Sequence, residues 1–235
     1  ITITNNIISG SRTELEEGIA DLTGTATITN DYNLIFNAAD NTGITLGEHF
    51  VESHPGFIMP EGADITEFEL APFSAAIGAG SAGSDLGAVD YTGEGRRTTI
   101  YVDDDGARDY TSVDFNEINL AIASAIDGDT ILVAAGTYDI STIYKAITLT
   151  GENKATTIID ATGHQSGLSF LNADNSTVSG FTIQNAEGER TVEFSLHSFD
   201  YNGHTYNTIF EGGEGSPIEG YYLAGHRSTP ANPEI

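Results

Sequence analysis

The stretch Gly128-Asp129-Thr130-Ile131-Leu132-Val133-Ala134-Ala135-Gly136-Thr137-Tyr138-Asp139-Ile140, GDTILVAAGTYDI, decides the fold. A β-branched and aliphatic run stands between an Asp-Gly-Asp turn signal and a second glycine, which predicts a very short strand. The same theme recurs in Ile1-Thr2-Ile3-Thr4, Ala26-Thr27-Ile28-Thr29, Asn33-Leu34-Ile35-Phe36, Ile147-Thr148-Leu149, Thr157-Ile158-Ile159, Leu168-Ser169-Phe170-Leu171 and Val178-Ser179-Gly180-Phe181-Thr182-Ile183. Helical periodicity is nearly absent. Strands this short suit a stacked coil, in which each turn carries a few of them and like side chains form ladders between turns roughly 20 or more residues apart.

One segment departs from this pattern. In SVDFNEINLAIASAIDGDT the apolar residues Phe115, Ile118, Ile122 and Ala125 fall on one face of an α-helix, with Asp114 as N-cap candidate and Asp127-Gly128-Asp129 as the stop. A helix directly before a coil stack would cover the apolar interior and the open sheet edge of the first turn, so it reads as a cap.

Together these features carry a family resemblance. Gly128-Asp129-Thr130-Ile131, Gly136-Thr137-Tyr138, Ile147-Thr148-Leu149 before Gly151-Glu152, Thr157-Ile158-Ile159-Asp160-Ala161 and Val178-Ser179-Gly180-Phe181-Thr182-Ile183 make residues 99–188 resemble the opening of right-handed parallel β-helix proteins of the pectate lyase-like superfamily. The NosD-like, CASH-domain group is closest, and pectin methylesterases are more distant. The resemblance implies an all-β fold of right-handed parallel β-helix (solenoid) segments, with one short capping α-helix before the second segment.

Residues 1–92 resemble the other end of such a protein, its last coils and exit, on Tyr32-Asn33-Leu34-Ile35, Pro55-Gly56-Phe57, the Leu70–Ile77 run and Asp85-Leu86-Gly87-Ala88. An ending thus precedes a beginning, with 93–98 as the linker. Residues 189–235 read as an antiparallel hairpin insertion or the start of a further module, since Val192, Phe194 and Leu196 alternate before Asn202-Gly203, a strong hairpin turn signal. Two open coil ends in one chain imply either a piece of a longer multi-β-helix protein or head-to-tail stacking of chains into a filament.

Charge bounds the partners. The 235 residues carry 35 Asp plus Glu against 8 Lys plus Arg, a formal net charge of −27, so nucleic acid and anionic membranes are repelled and cations attracted. Such an imbalance needs divalent ions or high salt for screening, which fits a secreted or cell-surface setting or a salt-loving organism. With no cysteine there is neither a disulfide framework nor a thiolate metal site, and no apolar run reaches the roughly 18 residues of a membrane span.

Three groups of residues merit weighing as sites. Asp103, Asp105 and Asp109 form D-x-D-G-x-x-D, the alternation of hard oxygen donors around a glycine that calcium loops use, although the position an EF-hand fills with Glu is Asp114 here. A plain turn into the cap is the competing explanation. Tyr201, Tyr206, Tyr221 and Tyr222 stand among Asn, Asp and Glu, a composition that stacks on sugar rings and bonds hydroxyls, though core packing explains aromatics more often. Glu48, His49, Glu52 and His54 hold potential metal donors without a recognised spacing, and His164, His197, His204 and His226 show none. Gly78 to Gly83 matches G-x-G-x-x-G literally, but no helix pattern follows, so no nucleotide is expected.

Three functional classes follow. The expected one is a structural or adhesive extracellular β-helix protein that binds cations, glycans or its own copies. The alternative is a polysaccharide lyase or esterase, which the resemblance allows but which needs carboxylates or a metal beside an Arg or Lys on central coils. Only Lys145, Lys154 and Arg190 are placed to serve, and no pectin methylesterase-like Gln/Asp/Asp/Arg set can be assigned. Copper delivery, by analogy with NosD-like proteins, lacks its soft ligands in a chain with no Cys and one Met, so no copper is expected.

Overall fold

The computed structural model describes residues 1–9, 27–36, 46–58, 68–171, 173, 175–186, 192–195 and 209–211. The chain divides into two compact units, Ile1–Arg97 and Thr98–Ile235. Fourteen strands and one α-helix are named among the described residues, and every pairing between those strands is parallel.

In the first unit, β1 (Thr2–Ser9), β2 (Thr29–Phe36) and β3 (Val51–Glu52) form a sheet in that order. Asn5 and Tyr32, opposite each other in register, both take left-handed backbone (φ 60° and 53°), so the two strands turn the same corner together. Beside that corner Asn6 faces Asn33, whose carboxamide oxygen accepts from the Asn6 backbone N–H at 2.9 Å and whose amide group donates to Ile3 O at 2.8 Å. The buried Asn33 side chain takes the place of water for backbone groups at the bend. Below it Leu34, Leu70, Ala75, Ala76 and Leu86 make a core flanked by Ile7, Phe36 and Phe57.

The second unit is built by rotation through three sheets. Its strands are β4 (Thr99–Val102), β5 (Thr130–Val133), β6 (Gly136–Tyr138), β7 (Ser141–Ile143), β8 (Thr148–Gly151), β9 (Thr157–Asp160), β10 (Leu168–Leu171), β11 (Thr177–Ser179), β12 (Thr182–Gln184), β13 (Val192–Ser195) and β14 (Ile209–Glu211). The sheets run β14-β11-β8-β5-β4, β12-β9-β6 and β13-β10-β7. From β5 onward the chain therefore visits the three sheets in fixed succession and returns to each one a strand further along, which is a parallel β-helix-like arrangement.

Register explains why the strands are short and what they bury. Ile100, Ile131, Leu149 and Val178 line up across the largest sheet and are all buried, while Thr99, Thr130, Thr148 and Thr177 line up one residue earlier. Each buried aliphatic of this ladder contributes about 1.5–3 kcal/mol. Tyr138, Ile159 and Ile183 form the matching ladder of the second sheet, and Ile143 stacks on Phe170 in the third.

The helix α1 (Ile118–Ser124) buries Ile118, Ala121 and Ile122. It starts later than the sequence predicts: Glu117 is the N-cap position, without a side-chain cap, and Asp114 is used elsewhere. Asp114 and Phe115 instead run along the edge of β4, where Phe115 bridges Val102 in parallel. The unpaired edge of a first strand competes successfully for these residues because its backbone groups would otherwise be left without partners. At the other helix end Lys145 Nζ donates to Ala123 O and Ala125 O at 2.8 and 2.6 Å, a cation on terminal carbonyls.

The expected antiparallel pairing of Leu196 with Ile209 falls at Leu196 outside the described residues. β13 pairs in parallel with β10 and β14 in parallel with β11, so these segments extend the existing sheets. An open parallel edge of matching register offers a full set of backbone partners. Asn202-Gly203 lies outside the described residues.

Glycine at one corner is obligatory. Gly180 and Gly151 stand side by side in adjacent turns, Gly180 has φ +78°, and a Cβ there would collide with the Gly151 carbonyl oxygen. Gly180→Ala should lower stability by at least about 1–3 kcal/mol, the scale of backbone strain alone. Gly163→Ala, with φ +82° but no neighbour within 4 Å, should cost less in the same thermal melts.

Candidate functional site

The acidic loop leaves β4 and turns back to its edge. Asp103 N–H donates to Phe115 O at 3.0 Å, and the Asn116 side chain donates to Asp103 O at 2.6 Å and Gly106 O at 2.8 Å. Gly106 is packed so closely on the Asp103 carboxylate and Val113 that any Cβ would displace them. The loop is thus tied at both ends by backbone bonds before its carboxylates do anything else.

It brings Asp103, Asp104 and Asp105 together, with one oxygen of each within 4.8 Å of the others. Asp104 Oδ2 accepts from Thr137 N–H at 2.9 Å, which fixes it to β6 of the next turn. Asp105 N–H reaches Asp103 Oδ1 at 3.4 Å. The hydrogen bond it shares with Asp103, then the charges of Asp103 and Asp104, push the Asp105 carboxyl above its ordinary range. Mutual repulsion of this kind is what a bound cation relieves, and three carboxylates are hard donors suited to calcium or magnesium.

Asp109 is not part of this group. Its carboxylate accepts from Thr111 N at 2.8 Å, Ser112 N at 2.7 Å, Ser112 Oγ at 2.8 Å and Val113 N at 3.1 Å. The backbone donor of Ser112, followed by those of Val113 and Thr111, holds it far below the usual carboxylate range. Asp109 therefore folds the loop, and Asp104 takes the third place in the cluster. The run of three aspartates was the available signal for Asp104; the calcium-loop alternation hid it by skipping the middle residue.

Arg108 serves the same loop. Its Nε donates to Asp114 O at 2.8 Å, its guanidinium lies 5.2 Å from the Tyr110 ring centre and 5.1 Å from that of Phe115, and Nη2 donates to Tyr110 Oη at 3.0 Å. Tyr138, on the next turn, donates its hydroxyl to Ala134 O at 3.1 Å, and burial first, then the Asp104 charge, pushes it up to about 12.

The other sequence candidates are scattered. His49 Nδ1 lies 2.9 Å from Asp31 Oδ2 and its ring stacks on Tyr32 at 4.2 Å, while His54 Nδ1 accepts from Gly56 N–H at 3.0 Å and its ring meets Phe36 edge-on. Glu48 and Glu52 join no cluster of metal donors among the described residues. Gly78 to Gly83 folds as a turn in which Gly80 N–H donates to Ser84 O. His164 stands 3.9 Å from Asp139. Tyr201, Tyr206, Tyr221, Tyr222, His197, His204 and His226 lie outside the described residues.

No protein-family model matches the chain, and no curated protein matches it. Among solved structures, the PL6-family alginate lyase AlyGC is matched at 15% identity and a TM-score of 0.24, and a mutant of AlyGC at 17% identity and a TM-score of 0.26. Each match covers 92% of this chain and 32% of the other, so the chain spans about a third of the length of these structures.

Two aspartates of one loop should respond to pH with opposite sign. Asp109, lowered in the fold, adds stability above the unfolded carboxylate value of about 4, and that contribution fades as the pH falls below it. Asp105, raised in the fold, adds stability only when protonated and loses it as the pH rises through its raised value. In metal-free buffer at pH 7, Asp109→Asn should lower the melting temperature and Asp105→Asn should raise it, and both differences should shrink in acid.

Proposed function

We propose that the chain is part of an extracellular structural β-helix protein that binds divalent cations, calcium first, through Asp103, Asp104 and Asp105. The observation that carries this reading is the convergence of three carboxylates within 4.8 Å in a chain whose formal charge is −27. Their positions also support it: Asp103 follows β4, Asp104 is bonded to β6 and the loop is tied to Phe115, so a bound ion would hold successive turns and their cap together. Asp109 acts as the organiser of that loop.

In this reading the second unit is a closed right-handed coil that begins near residue 99, and the first is the exit of an earlier coil ending near residue 92. Fixed rotation through three parallel sheets supports the coil. A polysaccharide lyase or esterase would need a free Arg or Lys beside its carboxylates. Arg108, the arginine of this loop, is instead engaged by Asp114, Tyr110 and Phe115.

Calcium titration tests the proposal. Saturable heat and a melting temperature that rises with calcium are expected, reaching a stabilisation of about 2.7 kcal/mol at a hundred times the dissociation constant. Asp105→Asn should abolish most of the rise. No heat and no thermal shift would overturn the assignment, and unsaturated product released from a uronate polymer would favour the lyase instead.

A further inference from the structure

A second feature lies on the outer face of the largest sheet, where alternate residues point away from the core. Tyr101, Leu132 and Thr150 stand side by side in register, and the rung after Val102, Val133 and Gly151 brings Asp103, Ala134 and Glu152 into line. These six residues line a depression of about 280 Å³. Its floor is apolar, and Leu132 is 38% exposed there between the buried Ile131 and Val133. Ala134 is the small member of its rung, set between the Asp103 and Glu152 positions.

The flanking carboxylates are two strand spacings apart, so their Cα atoms are separated by about 10 Å. Glu152 is held at the rim by the Ala135 N–H, which donates to its Oε2 at 3.1 Å. No lysine, arginine or histidine lines the depression. An occupant that joins apolar surface to a positive charge at the acidic rim matches this lining. An anion would be repelled, a bare metal ion would leave the floor wet, and a sugar ring would leave hydroxyls unpaired above Leu132.

We infer that this depression binds a small aliphatic amine, with its methylene stem on Leu132 and Tyr101 and its ammonium over Ala134 between Asp103 and Glu152. The site is distinct from the proposed calcium cluster, with which it shares Asp103 alone.

The test is titration of the full chain with n-butylammonium chloride in calcium-free buffer, followed by backbone amide NMR. Saturable shifts at Leu132, Ala134 and Glu152 are expected, with n-butanol, the uncharged analogue, binding more weakly. Glu152→Gln should weaken the amine about 1.5-fold to fivefold, the range for one exposed ion pair. Ala134→Leu should fill the depression and abolish binding. Asp105→Asn should leave amine binding intact, which separates this site from the calcium proposal. Equal binding of butanol and butylammonium, or unchanged amine affinity in Glu152→Gln and Ala134→Leu, would overturn the inference.

Discussion

The stack depends on how its first strand edge is closed. β4 ends the largest sheet, and its outward N–H and C=O groups would otherwise present a template for pairing with any extended chain. Asp114, wholly buried, accepts from Tyr101 N–H at 2.8 Å with its carboxylate, while the N–H groups of Asp114 and Phe115 both donate to Tyr101 O, at 2.9 and 3.1 Å. Asp103 N–H completes the edge by donating to Phe115 O. Arg108 locks the closing segment from outside by its bond to Asp114 O and its contact with the Phe115 ring.

Everything downstream inherits this geometry. Once β4 is fixed, Ile131 and Leu149 can pile onto Ile100, each turn supplying the edge on which the next one pairs. The turn between α1 and β5 repeats the logic on a smaller scale, with Asp129 accepting from Ile126 N–H and Asp127 from Ala146 N–H. Aspartate is thus used repeatedly to pair backbone groups at corners. A chain so rich in carboxylates gains rigidity from those that are bonded and pays in repulsion where they are not, as at Asp105.

Much of the fold was legible in the sequence because short β-branched runs between glycines and aspartates leave few alternatives. The parallel stacking of Thr130 with Thr148 and of Ile131 with Leu149 is what such runs predict. The helix start was misplaced because Asp114 suits an N-cap locally, and only the open edge of β4, a tertiary requirement, reveals its other use. At the candidate site the aspartate run was visible, but which aspartates converge was not. That depends on three backbone donors and the Ser112 hydroxyl claiming Asp109 and on β6 claiming Asp104. The depression over Ala134 was invisible for a related reason, since it exists only once three strands are set in register.

Native-state hydrogen exchange on Asp114→Ala tests the edge closure most directly. Removing the carboxylate should release the Tyr101 amide, and with it the Asp103 amide on the same edge, while amides deeper in the stack such as Leu149 keep their protection. Unchanged protection at Tyr101 in the variant would contradict the claim that Asp114 closes the stack.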